Sequence, residues 1–207
     1  MPTLDFFATL WMMIEYPGKA LKRIVIAEHK NYVLMLAMFF GISVGFGLFW
    51  AVHAGNRYDN IAYLIIAASG AGLILALPLF YALTGVLHAL AVLLGGKGPW
   101  RSTYAVAGWA LFPFTFATVI VLPVELAAFG LLFFSDNPHP FEVKPLVYGV
   151  LIGIDALMAL WSVWIGVKGL ALAHSIRTWK SFIVVVLVVT AGTFLLYGAA
   201  RWLLVAP

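Results

Sequence analysis

Long apolar runs separated by short polar breaks dominate this sequence, and the pattern predicts five membrane-spanning helices. A helix needs about 20 apolar residues to cross ~30 Å of hydrocarbon, and uncharged runs of this length do not fit a soluble core. The predicted spans cover about residues 32–52, 61–94, 103–134, 146–167 and 182–200. The predicted fold class is therefore all-α: a polytopic membrane protein with a five-helix transmembrane bundle and an N-terminal amphipathic interfacial helix.

The second and third runs are longer than one upright helix requires, at 34 and 32 residues. A reversal inside either run would need a turn whose backbone reaches water or protein partners. The second run offers only Ser69–Gly72 and Pro78 as breaks, and the third offers Pro113 and Pro123. Each run is therefore predicted to be one long, tilted or kinked helix.

Residues 1–30 are predicted to form a separate amphipathic segment ahead of the five-span domain at residues 31–207. Its polar stripe consists of Asp5, Thr9, Tyr16, Lys19, Arg23 and Lys30, and its apolar stripe of Leu4, Phe7, Trp11 and Ile14. Both stripes follow helical spacing, and Pro17 should break or restart the helix. Two interpretations stay open: the segment lies in the membrane interface with its apolar side down, or it packs against the bundle.

Composition supports the membrane assignment and removes several function classes. Hydrophobic residues make up 64% of the chain and charged residues 10%, against about 25% charged in a soluble domain. The chain contains no cysteine, which excludes disulfides and thiol catalysis. No dense basic patch with interleaved aromatics lies outside the membrane flanks, so no nucleic-acid partner is expected. Asp5 stands where a signal peptide carries basic residues, so we expect no cleavable signal.

The placement of Lys and Arg predicts the orientation. Nine of these residues fall on the side of the N-terminus and three on the other, which places the N-terminus in the cytosol and the C-terminus outside. Anionic lipids are the expected partners of this side, with other membrane proteins or self-association. The candidate head-group contacts are Lys19, Lys22, Arg23, Lys97, Arg101, Arg177 and Lys180.

Two carboxylates inside the spans, Glu125 and Asp155, form the candidate polar site. Glu125 lies ten residues before the outer loop begins at Ser135, and Asp155 lies ten residues after it ends at Pro145. At ~1.5 Å per residue, both would lie ~15 Å from that loop. Two carboxyl groups at one level would hold a proton or place a cation between them. The alternative is that each bonds to a different neighbour.

The sequence offers no catalytic, metal or cofactor site. There is no GxSxG motif, and Gly95–Gly98 lacks the spacing of a phosphate-binding loop, so its glycines are predicted to let the chain reverse. The histidines are expected to form no constellation. They are His29, His53, His88, His139 and His174. For His88 and His174, which precede the two cytosolic turns, hydrogen bonding at the interface is favoured over metal ligation.

Three stretches in fixed order carry a family resemblance. Leu-Gly-Gly-Lys-Gly at 94–98 is followed by Pro-Trp-Arg-Ser-Thr-Tyr and by Gly-Trp-Ala-Leu-Phe-Pro at 108–113, and Trp-Lys-Ser at 179–181 echoes Trp-Arg-Ser at 100–102. The chain resembles the YIP (Ypt-interacting protein) domain family, particularly its prokaryotic branch. The resemblance implies five spans, a cytosolic N-terminus and no catalytic residues, and it favours the bacterial cytoplasmic (inner) membrane.

Eukaryotic relatives in this family act in vesicle traffic and bind prenylated Rab-type GTPases. This chain lacks the Asp-Leu-Tyr-Gly-Pro motif of several of them, so Rab binding is not carried over. Some prokaryotic relatives are encoded beside ABC-type exporters. The predicted function is that of a non-enzymatic scaffold or accessory subunit that organises membrane partners or lipids. The alternative is a small transporter or channel component with a proton or cation site at Glu125 and Asp155.

Overall fold

The structure, a computed structural model, describes residues 5–27 and 30–205, and all regular structure within them is helical. Five helices there are long and apolar enough to cross a membrane. They cover Val33–Ala51, Ile61–Leu93, Trp100–Phe134, Pro145–His174 and Thr178–Trp202. The predicted all-α, five-span fold with a short N-terminal helix is therefore confirmed, and the chain is a multi-pass integral membrane protein. His29 and Leu4 lie outside the described residues.

The N-terminal segment folds as two short helices, α1 (Phe6–Glu15) and α2 (Pro17–Ala27), separated at Tyr16. Pro17 starts α2, since its fixed φ suits the first position of a helix. One face of each helix docks on the bundle. The side chains buried on this face are Thr9, Met13, Ala20, Leu21 and Ile24. Packing against the bundle, one of the two interpretations left open by the sequence, therefore applies to this face of the segment.

The opposite side of this segment is exposed and contains both basic and apolar side chains. Lys19, Lys22 and Arg23 are exposed on α2, and Phe7 and Trp11 on α1. This is the surface that the interfacial interpretation requires. Thr9 departs from the predicted polar stripe: it is buried because its hydroxyl donates to the Asp5 carbonyl oxygen at 3.0 Å, which satisfies it locally.

The first two spans, α3 (Val33–Ala51) and α4 (Ile61–Leu93), pack closely over glycines. A Cβ placed on Gly41 would lie 2.5 Å from the Gly72 carbonyl oxygen, and one on Gly45 would lie 2.9 Å from the Gly72 Cα. Only residues without a side chain allow two helix backbones this close. The spacing Gly41-x-x-x-Gly45 is thus a packing motif, and it holds α3 against the middle of α4.

The two longest runs accommodate their prolines differently. Helix α4 continues through Pro78 without interruption and is 33 residues long. The third run is one span, as predicted, but it is segmented. Its segments are α5 (Trp100–Ala110), α6 (Phe112–Phe116), a π-helical turn at Ala117–Val121, α7 (Leu122–Phe129) and a 3₁₀ turn at Gly130–Phe134. Pro113 and Pro123 cannot donate backbone hydrogen bonds, so the ladder changes register around them.

A short outer helix, α8 (Pro140–Val143), leads into α9 (Pro145–His174), and α10 (Thr178–Val205) ends the described chain. Helix α9 extends beyond the predicted end of its apolar stretch at residue 167. It stops only at Ser175, whose left-handed backbone (φ 54°) terminates the hydrogen-bonding pattern. A hydropathy boundary falls at the first charge, Lys168, whereas the helix itself continues through small residues that pack on the bundle, among them Gly169.

A side-chain hydrogen bond joins two loops at one end of the bundle. The Asn56 amide donates to the Asp136 carboxylate, which joins the loop after α3 to the loop before α8. This hydrogen bond is the largest cause that lowers the pKa of Asp136 below its ordinary value. The group is fully exposed, so we assign the contact a positioning role only.

The two turns at the other end also contact each other. The Lys97 amide donates to the His174 carbonyl oxygen at 3.2 Å, and the Lys180 ammonium donates to the Leu94 carbonyl oxygen at 2.9 Å. Gly98 lies directly on the Ala173 backbone, where a Cβ would not fit. The α4–α5 and α9–α10 turns, which share the Trp-basic-Ser sequence, therefore form one docked unit.

Candidate functional site

Glu125 and Asp155 line the same cavity, which places their carboxyl groups near each other. Glu125 lies in the first turn of α7 and Asp155 on the facing side of α9. The equal distances of the two residues from the outer loop anticipated this juxtaposition. The structure therefore brings the two candidate residues together, and their function stays a prediction.

The irregular third span positions Glu125. Pro123 lies two residues earlier and is separated by Leu122 from the π-helical turn at Ala117–Val121, and π-turns reorient the side chains that follow them. Glu125 is 2% exposed, whereas Asp155 is half-buried. One Glu125 oxygen, Oε1, is buried and has no hydrogen-bond partner among the described residues. A buried acceptor in this state favours a proton, a cation or a polar guest beside it.

The cavity has a volume of about 370 Å³ and a mostly apolar lining. Its polar contributors are Ser43, Trp50, Thr118, Glu125 and Asp155. Chemically, this arrangement can hold one proton between the carboxyl groups or a small cation against them.

Sequence reasoning missed Ser43 and Thr118 as members of this site. Their hydroxyls contact each other, and both reach the Phe114 carbonyl oxygen, Ser43 at 3.2 Å and Thr118 at 2.8 Å. They satisfy a carbonyl group next to the π-turn. An isolated Ser or Thr in an apolar run gives no signal of its own, since such residues commonly bond to their own helix.

A second polar cluster joins α4, α5 and α9 near the docked turns. The Thr103 hydroxyl lies 2.9 Å from His88 Nδ1 and 2.8 Å from His174 Nε2, and the two imidazole rings are 5.1 Å apart. The expectation that the histidines form no constellation is therefore wrong for this pair. It is wrong because the two turns that follow His88 and His174 dock on each other. The described residues contain no group of three or more His, Cys, Asp and Glu that could hold a metal.

The direction of hydrogen bonding in this cluster follows from burial. His174 is 1% exposed, and its Nδ1 has no partner among the described residues. An unpaired N–H would cost more than an unpaired lone pair, so we assign the proton to Nε2, which donates to Thr103. The Thr103 hydroxyl then donates to His88 Nδ1. Both bonds are interhelical, so the cluster is a clasp between three spans.

The candidate head-group contacts lie together at the end of the bundle that carries the turns. Lys19, Lys22, Arg23, Lys97, Arg101 and Arg177 are exposed. Lys180 differs, because it is half-buried and its ammonium donates a hydrogen bond to the Leu94 carbonyl oxygen. Lys168 joins the group as an exposed residue of α9. Exposed tryptophans accompany them: Trp11, Trp100, Trp164 and Trp179. We call this surface the basic end.

Comparison with known families supports the resemblance seen in the sequence. The family model described as the Yip1 domain matches residues 11–199 of this chain. The match includes the first four spans and most of the fifth, both docked turns and the carboxyl cavity. Comparison with curated proteins and with solved structures gave no match. Since the match covers most of its length, the chain belongs to the Yip1 domain family.

Proposed function

We propose that this Yip1-family protein is a non-enzymatic scaffold or accessory subunit, which gathers lipids and membrane proteins, or further copies of itself, at the cytosolic face. The observation that carries the proposal is the basic end. Exposed Lys and Arg side chains beside exposed tryptophans match the head-group region of an anionic leaflet. Its counterpart at the opposite end has few basic residues, which favours a cytosolic N-terminus.

The polar groups inside the bundle support a structural role. The Ser162 hydroxyl donates to the Ala110 carbonyl oxygen at 2.6 Å, and the Ser181 hydroxyl donates to the Val167 carbonyl oxygen at 2.7 Å. Thr103 is fully buried between two histidines, so its hydroxyl is enclosed rather than presented to a substrate. These hydroxyls bind helices together. The proposal therefore assigns function to surfaces, not to a reaction centre.

Neutralising the carboxyl pair should leave partner binding unchanged. The double variant E125Q/D155N keeps the shape of both side chains, and both lie away from the basic end. Full-length tagged protein is extracted with its native lipids in polymer-bounded discs, and bound proteins and lipids are quantified by mass spectrometry. E142Q, on the exposed α8, is the matched control. Loss of co-purifying partners in the double variant alone contradicts the scaffold proposal.

A second candidate function is favoured by the buried, unpartnered Oε1 of Glu125 beside Asp155. A small transporter or channel component would use the pair to pass a proton or a cation. The same two variants test it after reconstitution into vesicles that contain a pH-sensitive dye. This candidate expects wild type and E142Q to dissipate an imposed pH or cation gradient and E125Q/D155N to retain it. Equal rates in all three remove this candidate.

The proposed orientation predicts a labelling pattern that can be measured without background, because the chain has no cysteine. Lys97→Cys and Asp59→Cys place single thiols at opposite ends of α4, and both positions are exposed. In intact cells, a membrane-impermeant maleimide should label Asp59→Cys and spare Lys97→Cys until the membrane is opened. Labelling of Lys97→Cys from outside reverses the orientation.

A further inference from the structure

A groove of about 750 Å³ lies at the basic end, between the α1–α2 junction and the last turns of α9. Its floor is apolar and includes the buried side chains of Leu21 and Ala171. Trp164 and Tyr16 also line it, and the Lys19 ammonium lies 4.6 Å from the centre of the Tyr16 ring. The groove is therefore large enough for a phosphorylated head group.

The charge of the groove is positive. Lys19, Lys22 and Lys168 line it, and Glu15 is the acidic residue among its lining side chains. Helices α2 and α10 both begin at its edge, with Pro17 and Thr178. The N-terminal end of a helix carries partial positive charge, which adds to that of the ammonium groups. Charge complementarity therefore selects an anion.

An apolar track leads from the groove along α9. Leu157, Leu160 and Trp164 are exposed and lie three or four residues apart on one helix face, and Lys168 follows one turn later. This face points out of the bundle, where the hydrocarbon of the membrane lies. A ligand with an anionic head and apolar chains would satisfy the groove and the track at once, whereas a free phosphate would satisfy only the groove.

We infer that this groove binds one anionic phospholipid of the cytosolic leaflet, with its phosphate among Lys19, Lys22 and Lys168 and its acyl chains on Leu157 and Leu160. The inference rests on the proposed orientation and deepens the proposed function, because it names one lipid site within the basic end. A bound lipid there would bridge α2 and α9. It would thereby couple the N-terminal segment to the leaflet.

The inference is tested on the delipidated full-length protein with phosphatidylglycerol and phosphatidylcholine of identical acyl chains, by native mass spectrometry. Each Lys–phosphate contact near the surface contributes about fivefold, so K19Q/K22Q/K168Q should bind phosphatidylglycerol on the order of a hundredfold more weakly. The control K97Q/R101Q/R177Q removes the same charge from the same end outside the groove and should stay within about threefold of wild type.

A steric variant separates the groove from its charge. Gly18 lines the groove and no atom lies within 4 Å of a Cβ added there, so Gly18→Leu should fold while its side chain occupies part of the groove. We expect it to weaken phosphatidylglycerol binding at least tenfold. Excess inorganic phosphate should not displace the lipid, and displacement would assign the groove to a free anion. Equal losses in both triple variants, or unchanged binding in Gly18→Leu, overturn the inference and leave the scaffold proposal standing.

Discussion

Alanine at Gly45 is expected to lower the free energy of unfolding by about 1–2 kcal/mol, although alanine normally strengthens a helix. The added Cβ would meet the Ala68 carbonyl oxygen and lie 2.9 Å from the Gly72 nitrogen. Both are backbone atoms, so no side-chain rotation relieves the contact and α3 must move away from α4. Overpacking in a rigid contact costs ~1–3 kcal/mol or more, which exceeds the ~1 kcal/mol gained in helix propensity.

Gly47→Ala is the matched control, because it makes the same chemical change two residues along the same helix. No atom lies within 4 Å of a Cβ at this position. Only the higher helix propensity of alanine remains, so we expect that the free energy of unfolding is unchanged or rises by up to ~1 kcal/mol. Both values are measured by denaturant titration in mixed micelles. Equal effects at the two positions would show that α3 and α4 do not depend on this close approach.

The pairing of Glu125 with Asp155 could be predicted because the two residues flank one loop. Consecutive antiparallel helices share a register, so equal counts from the loop give equal depth. The residue count predicts only the depth of each carboxyl group. The direction in which each side chain points depends on where the helical hydrogen-bonding pattern is interrupted. Pro113 and Pro123 indicated a kink, but they did not indicate the π-turn between them or the Ser43 and Thr118 hydroxyls that contact each other beside it.

Counting residues from a shared loop could not predict that His88 and His174 lie next to each other. Their helices, α4 and α9, are not consecutive, and sequence spacing does not determine which non-consecutive helices are neighbours. The similar position of each histidine before a basic turn gave their depth correctly. Their contact depends on the docking of the two turns, through the Lys97 amide and the Lys180 ammonium, and on glycines small enough to allow it.

The carboxyl pair and the basic end lie far apart along the spans. A variant in one region therefore leaves the other region unchanged. Changes at Glu125 and Asp155 test transport without altering the basic end. Changes at Lys19, Lys22 and Lys168 test lipid binding without altering the cavity. Between the two regions, near the docked turns, lies the His88–Thr103–His174 clasp, which joins three spans.

Valine at Thr103 is therefore expected to lower the free energy of unfolding by about 2–3 kcal/mol. It removes two interhelical hydrogen bonds, and it leaves both nitrogens of the buried His174 unpaired. Such bonds average ~0.6 kcal/mol in membranes, and an unsatisfied buried group adds ~1–3 kcal/mol.

Thr84→Val is the matched control: both threonines are 0% exposed, but the Thr84 hydroxyl has no partner among the described residues. Its removal should be neutral or stabilising. Denaturant titration of both variants gives the comparison, and an equal change would show that the clasp does not hold the spans together.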